Sequence, residues 1–247
     1  MLPYNNCGDV FWAINRKNMV FAVEPWHNSN NKKSIETKTG GNRMNIEALK
    51  ESEQIFLNMY SEGFQDPEMV KMGKKHRMNQ MVELAHKSLS KEALEEVPNA
   101  IDNIIKLVTR SSMVSVFEKP KFRDGVKAMS DEQKKLLVHA IKELIHGNEE
   151  KGFNTLLELL SYYKLAKWTL MTVFRCYYYP DTDLLYKPTT VKGVINKYNL
   201  EGLTYKPRPS YAFFVKYRDA INEMKKHVSP ALSPSNAAFS GFLMLTM

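Results

Sequence analysis

The sequence predicts a mainly α-helical protein: an irregular multi-helix domain preceded by a short N-terminal β-hairpin appendage. Three features carry that expectation. Apolar residues recur at spacings of three and four from Met44 onward, helix start and stop residues bracket those runs, and β-prone alternation is confined to residues 1–27. The division that follows is residues 1–43 for the appendage and a polar linker, and 44–247 for the helical domain.

Taken in order, Val10-Phe-Trp-Ala-Ile14 and Met19-Val-Phe-Ala-Val23 are apolar runs joined by Asn15-Arg-Lys-Asn18, the pattern of a hairpin. Such a ribbon is marginal by itself and must lean on the helical body or a partner. Asn28 to Asn42, rich in Asn, Ser, Thr, Lys and Gly, reads as a linker. Asn45 to Ser61 is a helix former closed by Gly63. Asp66-Pro67 supplies a cap and a first-turn proline for a helix that carries Met78, Met81, Val82, Ala85 and Leu89 on one face. Ile101, Ile104, Ile105 and Val108 repeat the spacing. Ser130 with Gln133 makes a capping box ahead of Leu136, Leu137, Ala140, Ile141, Leu144 and Ile145, and Gly147 stops that helix. From Phe153 to Phe174 nearly every helical face is apolar, the mark of a buried central helix or helix pair. Tyr179-Pro180-Asp181 breaks it. A short helix begins at Thr189, and a longer one follows Pro207-Arg208-Pro209 with Phe213, Tyr217, Ala220, Ile221, Met224 and Val228 in one stripe.

A chain of 247 residues with 43% hydrophobic and 25% charged side chains can bury a sizeable core and is not globally disordered. Two cysteines, Cys7 and Cys176, exclude a disulfide framework and fit a reducing compartment or a chain that needs no crosslinks. The N-terminus lacks the ordered regions of a secretory signal, and the apolar end, Ala237 to Met247, is too short to span a bilayer. A cytoplasmic location with no membrane contact is expected. That uncharged tail must be buried against the body or serve as a contact for a protein partner or a homo-oligomer.

Charge is unevenly placed. The net formal charge is +8, and between Tyr163 and His227 twelve Lys and Arg face five Asp and Glu, a net of +7. The stretch from Met44 to Tyr162 comes out at −2. The basic third is also rich in tyrosine. Cations neutralise phosphates and flat rings stack on unpaired bases, so this region predicts DNA or RNA as partner. Lys187, Lys192, Lys206, Arg208, Lys216 and Arg218 are the expected phosphate contacts, with Tyr186 and Tyr205 as stacking platforms. The run Lys71, Lys74, Lys75, His76 and Arg77 reads as a solvated helix face.

No phosphate loop, dinucleotide fingerprint, His-Glu-x-x-His or Gly-x-Ser-x-Gly is present, so no cofactor and no catalytic residue is assigned. His139 and His146 share a helix face, but no carboxylate or cysteine completes a metal-ligand set. Asp9 with Glu36-Thr37-Lys38 superficially resembles the Asp…Glu-x-Lys pattern of restriction-type nucleases, in which two carboxylates hold a hard cation. Here, however, the Glu-x-Lys lies in a polar linker instead of a strand.

The stretch Tyr179-Pro-Asp-Thr-Asp-Leu-Leu-Tyr-Lys-Pro-Thr-Thr-Val-Lys192, followed by Tyr205-Lys-Pro-Arg-Pro-Ser-Tyr211 and Tyr217-Arg218, resembles a segment of uncharacterised bacterial helical proteins. Some of their relatives accompany restriction or phage-defence systems. The likeness covers about residues 160–245 and brings no assigned chemistry; it implies a bacterial or phage setting and points towards DNA or RNA. Three functional expectations result: a non-enzymatic helical nucleic-acid-binding or nucleic-acid-associated protein, a protein-interaction or assembly subunit working through the tail, or a metal-dependent nuclease using Asp9, Glu36 and Lys38.

Overall fold

The computed structural model describes residues 44–247, all of the predicted helical domain. The expected hairpin and linker, and with them Asp9, Glu36 and Lys38, lie outside the described residues. The described residues are mainly helical and contain no strand.

Helix α1 (Ile46–Met59) opens where the Asn45 side chain accepts the Ala48 N–H at 3.0 Å, filling one donor that the first turn leaves open. After a 3-10 turn, Asp66 caps the Glu68 N–H and Pro67 starts α2 (Pro67–His76). The single helix expected from Pro67 to Leu89 is two helices. Arg77 adopts φ 49°, ending α2 and starting α3 (Met78–Ser88). The reason is geometric. Met69 and Met81 are both buried, but on one straight helix they would point about 120° apart at 3.6 residues per turn. The left-handed residue re-aims the second half so that both reach the core.

Next come α4 (Val97–Arg110), α5 (Glu118–Lys127) and α6 (Asp131–His146). The capping box that opens α6 is present, with Ser130 Oγ accepting from Gln133 N at 3.3 Å and Gln133 Oε1 accepting from Ser130 N at 2.9 Å. The apolar stretch from Phe153 onward is a helix pair, α7 (Glu149–Tyr162) and α8 (Trp168–Tyr178). Helix α7 lies so closely on α6 that only Gly152 fits at the crossing: a Cβ there would stand 2.2 Å from the Leu144 backbone nitrogen. Helix α8 is the centre of the molecule. Every residue from Trp168 to Tyr177 except Arg175 is buried, and the helix packs against α3, α4, α6 and α7.

The C-terminal third adds α9 (Pro188–Lys197), α10 (Tyr211–Lys225) and α11 (Asn236–Leu245). The uncharged tail is α11, which packs against α1, α9 and α10. Its Phe239, Phe242 and Leu243 are fully buried, and the Phe242 ring meets Phe56 edge-on at 5.4 Å. Those three side chains are spent within the fold, while Met244, Leu245 and Met247 of the same tail stay half-buried. No helix among the described residues is long and apolar enough to cross a membrane.

Candidate nucleic-acid interface

The loop between α9 and α10 is pinned at several points. Leu200, Leu203 and Pro209 are buried, Asn199 (φ 45°) and Gly202 (φ 74°) make its turns, and the Trp168 indole N–H donates to the Lys206 carbonyl at 2.8 Å. With the backbone so held, the side chains of Lys206 and Arg208 project into solvent on either side of Pro207. Lys216, on the second turn of α10, is exposed beside them. These three cations line one cleft of about 250 Å³, floored by Trp168 and Phe213. No hydrogen bond or ion pair ties their charged ends to a carboxylate among the described residues.

Two further features reinforce this positive field. The first turn of α10 carries no acidic residue, and Ser210 makes no side-chain cap, so the helix contributes its positive end to a cleft that Ser210 and Ala212 line. On the other side, the Lys192 ammonium sits 5.0 Å above the Tyr205 ring, and Tyr205 meets Phe213 edge-on at 6.2 Å. Tyr205 is half-buried, and that burial raises its hydroxyl above the usual tyrosine value. Lys192 and Tyr205 thus adjoin the cleft through Phe213, one of its lining residues.

Other sequence-predicted residues go elsewhere. Tyr186 is a correction: it is fully buried, stacked on Trp168 at 5.3 Å, with its hydroxyl donating to the Phe214 carbonyl at 2.5 Å. Desolvation raises that hydroxyl well above its ordinary value. No ring face is left for a base. Arg218 is a second correction, since carboxylates already claim it: Nη1 lies 2.7 Å from Glu149 and 3.4 Å from Asp183. Lys187 lines a different cavity, next to His76. Of the basic run on α2, Lys71, Lys74, Lys75 and Arg77 are exposed, but His76 is half-buried, lies 3.1 Å from the Ser112 hydroxyl and lines that cavity.

The carboxylates that take Arg218 were not singled out from sequence. Asp183, 1% exposed, also receives Arg175 through Nε at 2.8 Å and Nη2 at 3.0 Å, the fork geometry that guanidinium and carboxylate share. Glu149 Oε2 accepts from Arg175 Nη2 at 2.9 Å, and Tyr211 donates to Glu149 Oε1 at 2.9 Å. Two arginines and two acids from α7, α8, α10 and the α8–α9 loop therefore cancel inside the molecule. Burial by itself would raise the Glu149 carboxyl, but the Arg218 hydrogen bond and the two guanidinium charges hold it below the usual carboxylate range. Arg218 is opposed by burial in the same way, and Glu149 and Asp183 carry it above its ordinary value.

Nucleophilic and metal chemistry find little here. Cys176 is buried in α8, and desolvation, with the nearby Asp183 charge, pushes its thiol up to about 12. In a Cys7→Ser background we expect Cys176 to resist an aromatic disulfide reagent in the native protein and to react only after denaturation; fast native reaction would refute its placement. His139 and His146 do not form a site: His146 Nε2 lies 2.7 Å from the Leu89 carbonyl and His139 faces Glu143 at 3.9 Å. Among the described residues no group of three or more His, Cys, Asp or Glu could hold a metal ion. Comparison with known protein families, with curated proteins and with solved structures finds no match to this chain.

Proposed function

We propose that the protein is a nucleic-acid-binding protein that grips the phosphate backbone of DNA or RNA with Lys206, Arg208 and Lys216. The observation that carries this reading is their convergence, with no neutralising carboxylate, on one aromatic-floored cleft. Lys192 and Tyr205 adjoin it through Phe213. Cations held on a pinned loop and a helix lose little side-chain freedom when a phosphate arrives, so the electrostatic gain is kept. The described lining of the cleft has no carboxylate, histidine or cysteine, which favours holding over cutting. The resemblance of residues 160–245 to uncharacterised bacterial helical proteins, some of whose relatives accompany restriction or phage-defence systems, suggests the setting: bacterial defence.

The test is fluorescence anisotropy with a labelled single-stranded oligonucleotide and a duplex of the same length. Three phosphate contacts predict that affinity for the single strand falls roughly 20-fold between 50 and 200 mM salt, from a slope of about −0.7 per contact. Absence of binding at low salt, or binding indifferent to salt, would overturn the reading.

A further inference from the structure

Away from the basic cleft lies a cavity of about 170 Å³ that the nucleic-acid reading does not use. It is a half-open pocket bordered by α2, the start of α3, the beginning of α9 and α11. Five methionines, Met69, Met72, Met78, Met113 and Met244, dominate its wall together with Phe64 and Leu185. Natural interiors leave few voids larger than one water molecule. A dry apolar cavity of about 150 Å³ is large enough to admit a benzene ring, so this pocket has room for a ring-sized ligand. Methionine is flexible and polarisable, and its sulfur makes favourable contacts with aromatic edges.

The polar part of the lining is small and selective. Lys187, at the N-cap position of α9, adds a lysine side chain to the lining. His76 is close enough to feel its charge: burial first, and then the charges of Lys187 and Lys75, lower the imidazole below its ordinary value. Ser240 is also among the lining residues, though its hydroxyl oxygen has almost no accessible surface. The hydroxyl has no hydrogen-bond partner among the described residues, an arrangement that costs about 1–3 kcal/mol unless another group satisfies it.

We propose that this methionine-lined cavity is a binding site for a small organic carboxylate with a ring-sized apolar body, the body lying among the methionines and the carboxylate meeting Lys187. Apolar fit supplies the affinity, and the cation supplies the choice of acid over a neutral molecule of the same shape. The site is independent of the cleft lined by Lys206, Arg208 and Lys216.

Phenylacetate and its neutral isostere phenylacetamide are the probes, titrated into the full chain labelled with 13C at the methionine methyls. Phenylacetate is expected to shift Met72, Met78, Met113 and Met244 saturably while leaving the buried Met171 and Met224 unmoved. Phenylacetamide should bind about tenfold more weakly, the discrimination that one charge-assisted hydrogen bond provides. Gly241→Leu fills the cavity from α11, where a first added carbon makes only ordinary contact with the Phe64 ring at 3.8 Å; it should abolish both titrations. Lys187→Met leaves the cavity open and should equalise the two ligands, so the proposal stays testable even if the leucine variant misfolds. Cavity methyls indifferent to both ligands, equal affinity for acid and amide in the unaltered chain, or undiminished binding in a folded Gly241→Leu variant would each overturn it.

Discussion

Asp183→Ala will lower the stability of the fold by about 3–5 kcal/mol, the usual cost of removing one partner from a buried ion pair. Asp183 is almost completely buried and meets both Arg175 and Arg218. Its loss leaves the two guanidinium groups with Glu149 as their shared carboxylate, Arg218 keeping besides, among the described residues, only the exposed Asp219 at 3.9 Å. Denaturant unfolding followed by far-UV circular dichroism reads the effect directly. Replacing Arg175 by Met together with Asp183 by Leu should cost clearly less than the two single losses added together, because the stranded charge disappears with its partner. A cost for Asp183→Ala below about 1 kcal/mol would mean that the four charges are solvated and do not organise the domain. The cluster also sets an acid limit. Because the Glu149 carboxyl is held below its unfolded value, its contribution is complete above the ordinary carboxylate range and is lost as pH falls through the lowered native value.

Gly152→Ala is the second large effect, and its sign opposes helix propensity. In an exposed helix interior alanine is favoured over glycine by about 1 kcal/mol. At Gly152 the added carbon would meet the Leu144 nitrogen at 2.2 Å, the Leu144 Cα at 2.6 Å and the Ala140 carbonyl oxygen at 2.7 Å. All three are backbone atoms of α6, so no rotamer change can relieve the clash and the helices must separate. Overpacking of this kind costs about 1–3 kcal/mol or more. The matched control is Gly73→Ala on α2, where the new carbon meets nothing within 4 Å among the described residues beyond its own helix and the midpoint of thermal unfolding should hold or rise. Equal behaviour of the two variants would contradict the close approach of α6 and α7.

The fold was legible where local signals act alone. The Asn45 and Asp66 caps, the Ser130/Gln133 box and the stretch from Phe153 to Phe174, apolar on nearly every face, that became α7 and α8 all follow from nearest neighbours and periodicity. Helix α5 escaped notice because it is polar, carries Pro120 in its first turn and buries only Phe122 and Val126, a stripe too short to register as a period. The break at Arg77 escaped because both halves look amphipathic, and only the direction of the core shows that they need different directions.

The interface was legible in composition and not in geometry. The sequence located the basic third, and proline and exposure keep Lys206, Arg208 and Lys216 outward. It could not show that Asp183 and Glu149, separated by 35 and 69 residues from Arg218, would neutralise it. Nor could it show that Tyr186, which follows the Tyr179-Pro180 break, belongs to the core beside Trp168 while Tyr205 stays at the rim. Charge counts treat every lysine and arginine alike; burial separates those spent on folding from those left for a partner.

The most direct test of the account is the salt slope of nucleic-acid binding by the Lys206→Gln/Arg208→Gln/Lys216→Gln variant beside that of the unaltered chain. All three side chains are exposed, and surface changes of this kind usually alter stability by no more than about 0.5 kcal/mol, so the fold should persist. We expect the slope of log K against log salt to lose about 2 on single strands, about 0.7 for each phosphate contact removed, with binding at 50 mM salt largely gone. A variant that binds with the same affinity and the same slope would show that the cleft is not where the polyanion lies.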